Sequence, residues 1–271
     1  ALNITRFLYL LHERGDGCRI AIIDTGIDPR KDVEDAVNLT DQSIIDTAIH
    51  GAAIHSIIKY ILPEAEIYFV KVPDPLPDNL FLTALSEAMK FKPHAINVSF
   101  TSEFPSDGSD PCSQYVDYMS TQTVISISAG NGGPRFMSIG TPAAAESALT
   151  VGATDTKGRL WVKSSRGPTL DGRWKPNVVA PTNYVIPEMD DESWPGTSFS
   201  APLATALAAV LMRDIGVSFV ARRIIELTAE SIPIIFGPRI SLYGMRRESA
   251  IKRIVESWPR LLDSRNLIGM G

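Results

Sequence analysis

Two kinds of apolar spacing alternate along the chain. Residues 18–23 form a compact β-branched run bounded by turn residues, the pattern of a strand buried on both faces. Residues 66–72, 95–100, 123–128 and 148–153 repeat it. Between these runs the spacing widens to that of a helix. Residues 52–60 put Ile54, Ile57 and Ile58 on one side, with Ile61 just beyond, and residues 80–91 and 114–121 read the same way. Residues 4–11 predict a further short amphipathic helix, and 219–229 and 248–258 two surface helices. Strands alternating with helices of this length imply βαβ units. The fold expected is therefore α/β, a three-layer sandwich with a mainly parallel central sheet and helices on both faces. The stretches between, including the one before His50 and the one over 101–114, are read as polar loops.

One segment stands apart. Pro195-Gly196-Thr197-Ser198-Phe199-Ser200-Ala201-Pro202 runs into an uncharged, Ala- and Leu-rich stretch over 203–212. A helix apolar on nearly all sides belongs at the centre of a domain, and this run is too short to cross a membrane. Ser198 falls at its start, where unpaired amides and the positive dipole end gather. A serine there is most often a cap; it is also where a hydroxyl can be activated. Pro202 is expected to be tolerated because first-turn amides have no intrahelical partner to lose.

Composition narrows the function classes. No linker-like tract, low-complexity run or internal repeat interrupts the 271 residues, so they are read as a single domain, 1–271. Lys and Arg number 26 against 31 Asp and Glu, a net charge of −5, which argues against a nucleic-acid partner. The late basic residues, such as Arg222, Arg223, Arg246 and Arg247, are read as wet faces of terminal helices. Cys18 and Cys112 lack ligand spacing; two buried thiols or one disulfide would fit them, and neither decides the compartment. No charged-then-apolar leader opens the chain and no apolar stretch approaches membrane-spanning length, so no membrane partner is expected. The acids Asp107, Asp110, Asp190, Asp191 and Glu192 show no alternation of oxygen ligands, and neither a metal nor another cofactor is expected.

The candidate chemistry lies at element ends. Asp24 closes the first strand, where open α/β sheets place their ligands. His50 stands ahead of the first long helix and Ser198 ahead of the apolar one. Acyl transfer needs this trio. A neutral hydroxyl is a poor nucleophile, an imidazole can take its proton, and a carboxylate fixes the tautomer and stabilises the imidazolium. Asn131, on a Gly-flanked turn, adds a side-chain amide able to donate to an oxyanion.

At these residues the chain resembles the subtilisin-like serine proteases, the subtilases. The matching stretches are Ile22-Ile23-Asp24-Thr25-Gly26-Ile27-Asp28, His50-Gly51, Ala129-Gly130-Asn131 and Gly196-Thr197-Ser198-Phe199-Ser200-Ala201-Pro202. The resemblance implies a serine endopeptidase acting on a polypeptide substrate. Ser198 would be the nucleophile, His50 the general base and then acid, and Asp24 its orienting partner. Asn131 and the Ser198 amide would hold the oxyanion. It also implies a substrate strand added beside Ser99, Phe100 and Thr101, a second wall at Ser128, Ala129 and Gly130, and Gly140 at the floor of a roomy apolar specificity pocket. Many family members carry an inhibitory propeptide that is removed and work outside the cell; neither follows from the residues themselves.

Departures from the family pattern are part of the reading. Ala52-Ala53-Ile54-His55 follows His50-Gly51 in place of Thr-His-Val-Ala, and His55 is expected to be a partly exposed helix residue. Thr101 and Thr182 stand where the family carries glycine, and a side chain at 101 would narrow the cleft or change its backbone angle. Residues 60–66 leave no room for the asparagine-rich calcium loop many members insert. Two other readings fit the same residues: an inactive subtilase-like scaffold used for binding or assembly, and a peptide ligase or cyclase in which an amine resolves the acyl-enzyme.

Overall fold

Strand β1, Arg19–Asp24, shows why its run of Ile and Ala is continuous: Ile20 and Ile22 enter one core, while Ala21 and Ile23 enter another on the opposite face. A strand with no solvent face has no use for polar alternation. The computed structural model describes residues 14–155, 157–183, 194–231 and 243–244. Six more strands join β1: β2 (Asp35–Asn38), β3 (Glu66–Lys71), β4 (Ala95–Val98), β5 (Val124–Ser128), β6 (Leu149–Thr154) and β7 (Val178–Pro181). They form a seven-stranded sheet in the order β2-β3-β1-β4-β5-β6-β7, and every neighbouring pair is parallel.

Helices cover both faces. On one lie α1 (His50–Ile61), α4 (Thr197–Ile215) and α5 (Ser218–Thr228), which bury Ile54, Ile57, Leu207 and Ile225 against Ile20, Ile22 and Phe69. On the other lie α2 (Asp78–Lys90) and α3 (Pro111–Met119), with Phe81, Leu85 and Val116 against Ile23, Val70 and Ile125. A two-stranded antiparallel pair, β8 (Glu230–Ser231) and β9 (Tyr243–Gly244), follows. Because β3 lies on one side of β1 and β4 on the other, the winding reverses beside β1. The crevice at such a reversal, at the carboxyl ends of the strands, is where doubly wound sheets bind ligands. Asp24 ends β1 there and Ser99 follows β4.

Several expectations change. The loop before His50 contains β2, an edge strand whose Asp35-Ala36-Val37-Asn38 lacks an apolar run because it is partly exposed. Helix α3 begins at Pro111, not Gln114, because the Asp110 carboxylate caps it through Ser113 N at 2.8 Å and proline suits the first helical position. Helix α4 has 19 residues and a mean hydropathy of 1.2, long and apolar enough by those measures to span a membrane, and 78% of that window is buried in the domain. Pro202 is its sixth residue, beyond the first turn, so the carbonyl of Ser198 loses its helical donor. The Ser99 hydroxyl takes that place, 3.2 Å from Ser198 O. His55 is fully buried, its Nε2 3.0 Å from Asp32 O, rather than partly exposed. Cys18 and Cys112 are buried in the two separate cores, on opposite faces of the sheet, and no disulfide joins them. The helices expected at 4–11 and 248–258 lie outside the described residues.

Candidate active site

The base is built from α1 and the loop before it. His50 is the first residue of α1, preceded by Ile49 in the left-handed region (φ 64), which supplies no side-chain cap. Asp46 does that job from four residues upstream. Its Oδ2 accepts from Ala52 N at 2.9 Å, and its Oδ1 from Ala48 N and Thr25 Oγ1, each at 2.9 Å. Thr25 in turn accepts from Gly51 N at 3.1 Å. The first turn of α1 is therefore pinned to the end of β1 through side chains. Lys71 supports the same loop, its buried Nζ donating to Ser43 O at 2.6 Å and Ile45 O at 2.8 Å.

This pinning brings His50 onto Asp24. The buried Asp24 Oδ1 lies 2.7 Å from His50 Nδ1 and also accepts from Thr25 N at 2.8 Å, while Oδ2 is buried with no hydrogen-bond partner among the described residues. A carboxylate accepts, so Nδ1 carries the proton and Nε2 is left as the basic atom. Burial disfavours the imidazolium; the charge and hydrogen bond of Asp24, with the charges of Asp46 and Asp74, outweigh it and hold the His50 pKa above the usual histidine value. The ring packs edge-on to Phe199, centroids 5.4 Å apart, and tilted to Phe100 at 6.5 Å.

Ser198 is the second residue of α4, and the N-cap position belongs to Gly196, so Ser198 is not the cap. Gly196 has φ 151, a conformation side-chain-bearing residues rarely adopt. Thr182 holds that turn, its Oγ1 2.9 Å from both Gly196 N and Gly196 O. A threonine where the family has glycine thus pins the turn that leads into α4. Ser198 Oγ donates to Ser99 O at 3.3 Å, the reciprocal of the Ser99 contact to Ser198 O, and is not hydrogen-bonded to His50. Behind Ser99 runs a buried polar chain: Thr205 Oγ1 to Asn97 Oδ1 at 2.9 Å, then Asn97 Nδ2 to Ser99 Oγ at 2.9 Å.

Asn131 is oriented by the same helix start. Its Oδ1 accepts from Thr197 N and Thr197 Oγ1, each at 3.1 Å, and Gly130 N donates to Thr197 Oγ1 at 3.1 Å. With the carbonyl oxygen committed to two donors, the side chain is fixed with Nδ2 as its free donating end.

A cleft of about 520 Å³ gathers Ser198, Asn131, Ser99, Thr101, Ser128 and Gly130. The side chains of two other expected wall residues, and Gly140, do not line this cleft. Phe100 lines a second cavity of about 440 Å³. Ala129 is fully buried, so only its backbone belongs to the wall. Gly140 is not a pocket floor: it is buried, and a Cβ there would stand 2.0 Å from Ser102 O and 2.7 Å from Phe104 O. Nor is the cleft apolar, since Glu103 and Arg135 line it beside the hydroxyls. Sequence reasoning missed Asp46, Thr25, Thr197 and Thr182. Asp46 carried a readable signal, a capping residue ahead of a helix; the two other long-range caps carried none. Among the described residues no group of three or more His, Cys, Asp and Glu is arranged to hold a metal ion.

Known proteins share part of this sequence and this fold. The chain is 25% identical to the serine protease AprX of Bacillus subtilis (strain 168) over 256 residues, 74% of this chain and 58% of that protein. It is 28% identical to the alkaline elastase YaB of Bacillus sp. (strain YaB) over 218 residues, 73% of this chain and 54% of that protein. The chain thus spans little more than half the length of these relatives. Two solved structures share its fold: the prenylagaramide maturation protease PagA (TM-score 0.74, 18% identity, 93% of this chain and 98% of that one) and the patellamide maturation protease PatA (0.73, 20%, 90% and 99%). Residues 15–229 match the subtilase family model, and with a parallel sheet that sets Asp24 against His50 and Ser198 beside Asn131, the chain belongs to the subtilase family.

Proposed function

We propose that this domain is a serine endopeptidase, with Ser198 as nucleophile, His50 as general base and acid, and Asp24 as the residue that orients His50. The observation that carries the reading is the 2.7 Å contact between Asp24 Oδ1 and His50 Nδ1, which leaves Nε2 free to take a proton. The Ser198 hydroxyl turns about its Cα–Cβ bond from Ser99 O toward Nε2 when substrate arrives; catalytic hydrogen bonds often tighten only in the complex. The proton passes from Ser198 Oγ to Nε2 as Oγ attacks the peptide carbonyl. The resulting oxyanion accepts from Asn131 Nδ2 and the Ser198 backbone N–H. His50 then gives its proton to the leaving amine, and water, activated by the same imidazole, releases the acyl group. Release by water rather than by an amine makes the product a hydrolysed peptide.

Cleavage of an unfolded protein tests this. Wild type should produce peptides and new amino termini, and Ser198→Ala should produce none. Turnover that survives Ser198→Ala would refute the nucleophile assignment, and binding of peptides without turnover by wild type would favour a scaffold role.

A further inference from the structure

We infer that Thr101 is a specificity-determining residue: its side chain bars the slot between the two cleft walls beside Ser198, restricting the residue that supplies the scissile carbonyl to glycine, alanine or serine. The inference rests on Ser198 being the nucleophile. Strands β4 and β5 are paired from Ala95 with Val124 to Val98 with Ile127, and beyond that pairing their chains become the walls, Ser99 and Thr101 on one side and Ser128 and Gly130 on the other. The width of such a slot depends on what projects into it. Thr101 projects across: its Oγ1 donates to Ser128 O and lies 3.4 Å from Ser128 Oγ. Gly130 offers no side chain from the facing wall, yet the place its Cβ would occupy is already 3.4 Å from Thr101 Cγ2 and 3.7 Å from Thr101 Cβ.

A carbon at that place would already be in van der Waals contact with the threonine, so no further carbon fits between Thr101 and the Gly130 backbone. Carbon atoms need about 3.5–4.0 Å from each neighbour, and a chain of methylenes has no such space between Thr101 and Gly130. Glu103, Phe104 and Arg135 line the same cleft. A side chain of one or two heavy atoms need not pass between Thr101 and Gly130, whereas a longer one must.

The test is a set of peptides that differ only in that residue (Gly, Ala, Ser, Leu, Phe), cleaved by wild type, Thr101→Gly and Thr101→Ser. Active enzyme is counted in each sample with a small alkyl fluorophosphonate, which presents no side chain to the slot. Wild type should favour Ala over Phe in kcat/KM by roughly 100-fold or more, the scale on which pockets exclude bulk. Thr101→Gly should bring the ratio below about tenfold by raising Phe and Leu. Thr101→Ser, which keeps the tie to Ser128 and removes Cγ2, should fall between and carries the test if the glycine variant does not fold. Equal cleavage after Phe and Ala by wild type, or an unchanged ratio in fully titrated Thr101→Gly and Thr101→Ser, would overturn the inference while leaving the nucleophile intact. Probe labelling that persists in Ser198→Ala would instead overturn the catalytic reading beneath it.

Discussion

The starts of α1 and α4 share one defect and solve it oppositely. Neither N-cap residue, Ile49 nor Gly196, caps its helix with a side chain, and neither helix has an acid in its first turn. At α1 the missing cap comes from a carboxylate, Asp46, and a second carboxylate, Asp24, meets the imidazole of the first residue. At α4 the substitutes are neutral: the Thr182 hydroxyl on Gly196 and the Asn131 amide oxygen on Thr197. The positive end of a helix dipole opposes a cation and favours an anion. At α1, where positive charge is to develop on His50, negative groups offset the dipole. At α4, where the proposed mechanism develops negative charge beside Ser198, the two capping groups are neutral and leave the dipole in place. The charge of the capping groups at each helix start thus matches the sign that the proposed mechanism calls for.

Reversing or deleting these groups tests the contrast. The largest effect is expected for Asp24→Asn, which leaves the space filled but presents an N–H toward Nδ1 and inverts the tautomer; kcat should fall by about 10⁴, measured on a peptide substrate at pH 8. Asn131→Ala should lower kcat by roughly 10²–10³ with KM little changed. Asn131→Asp should lower it further, because a carboxylate would then face the oxyanion; equal losses in the two variants would mean that charge at the α4 start does not matter.

The other end of the comparison is His55, on the same helix as His50 but with no carboxylate in contact. Burial holds its pKa down to about 4, so the folded state resists its protonation. The unfolded chain binds that proton near the ordinary histidine value, and stability should therefore fall as pH drops from about 6.5 toward 4, by up to about 3 kcal/mol. Urea denaturation across that range should show the slope, and His55→Gln should remove most of it. The smallest effect is expected at Asp46. His50 must be neutral to act as base, so activity rises with pH through a pKa that lies above the usual histidine value. Asp46→Asn removes one of the charges that raise it and should move the acid limb of the kcat/KM profile to lower pH. Asp46→Ala should in addition cost about 1 kcal/mol of stability through the lost cap.

The parts of this site that could be read from the sequence are those with local signals. Asp24 follows a β-branched run, His50 begins an apolar-periodic helix, and Ser198 precedes an Ala- and Leu-rich one, so their placement at element ends was visible in spacing alone. What binds them together was not. Thr182 reaches across 14 residues to Gly196 and Asn131 across 66 to Thr197, and no periodicity reports such contacts. Pro202 was misjudged because its position in the helix depends on where the cap falls, and the cap proved to be Gly196. Gly140 was misjudged because a missing side chain means an open floor only where no backbone fills the space, and here Ser102 does. Strand β2 and the start of α3 were missed for lack of an apolar run and for an unread Asp-Pro cap.

The central claim is that Ser198 is a nucleophile made reactive by His50. It is tested most directly by treating the folded protein with a fluorophosphonate and mapping the modified peptide. The account predicts a single adduct on Ser198, its rate rising with pH along the His50 titration and dropping sharply in His50→Ala. An adduct on another residue, or labelling of Ser198 no slower without the imidazole, would contradict it.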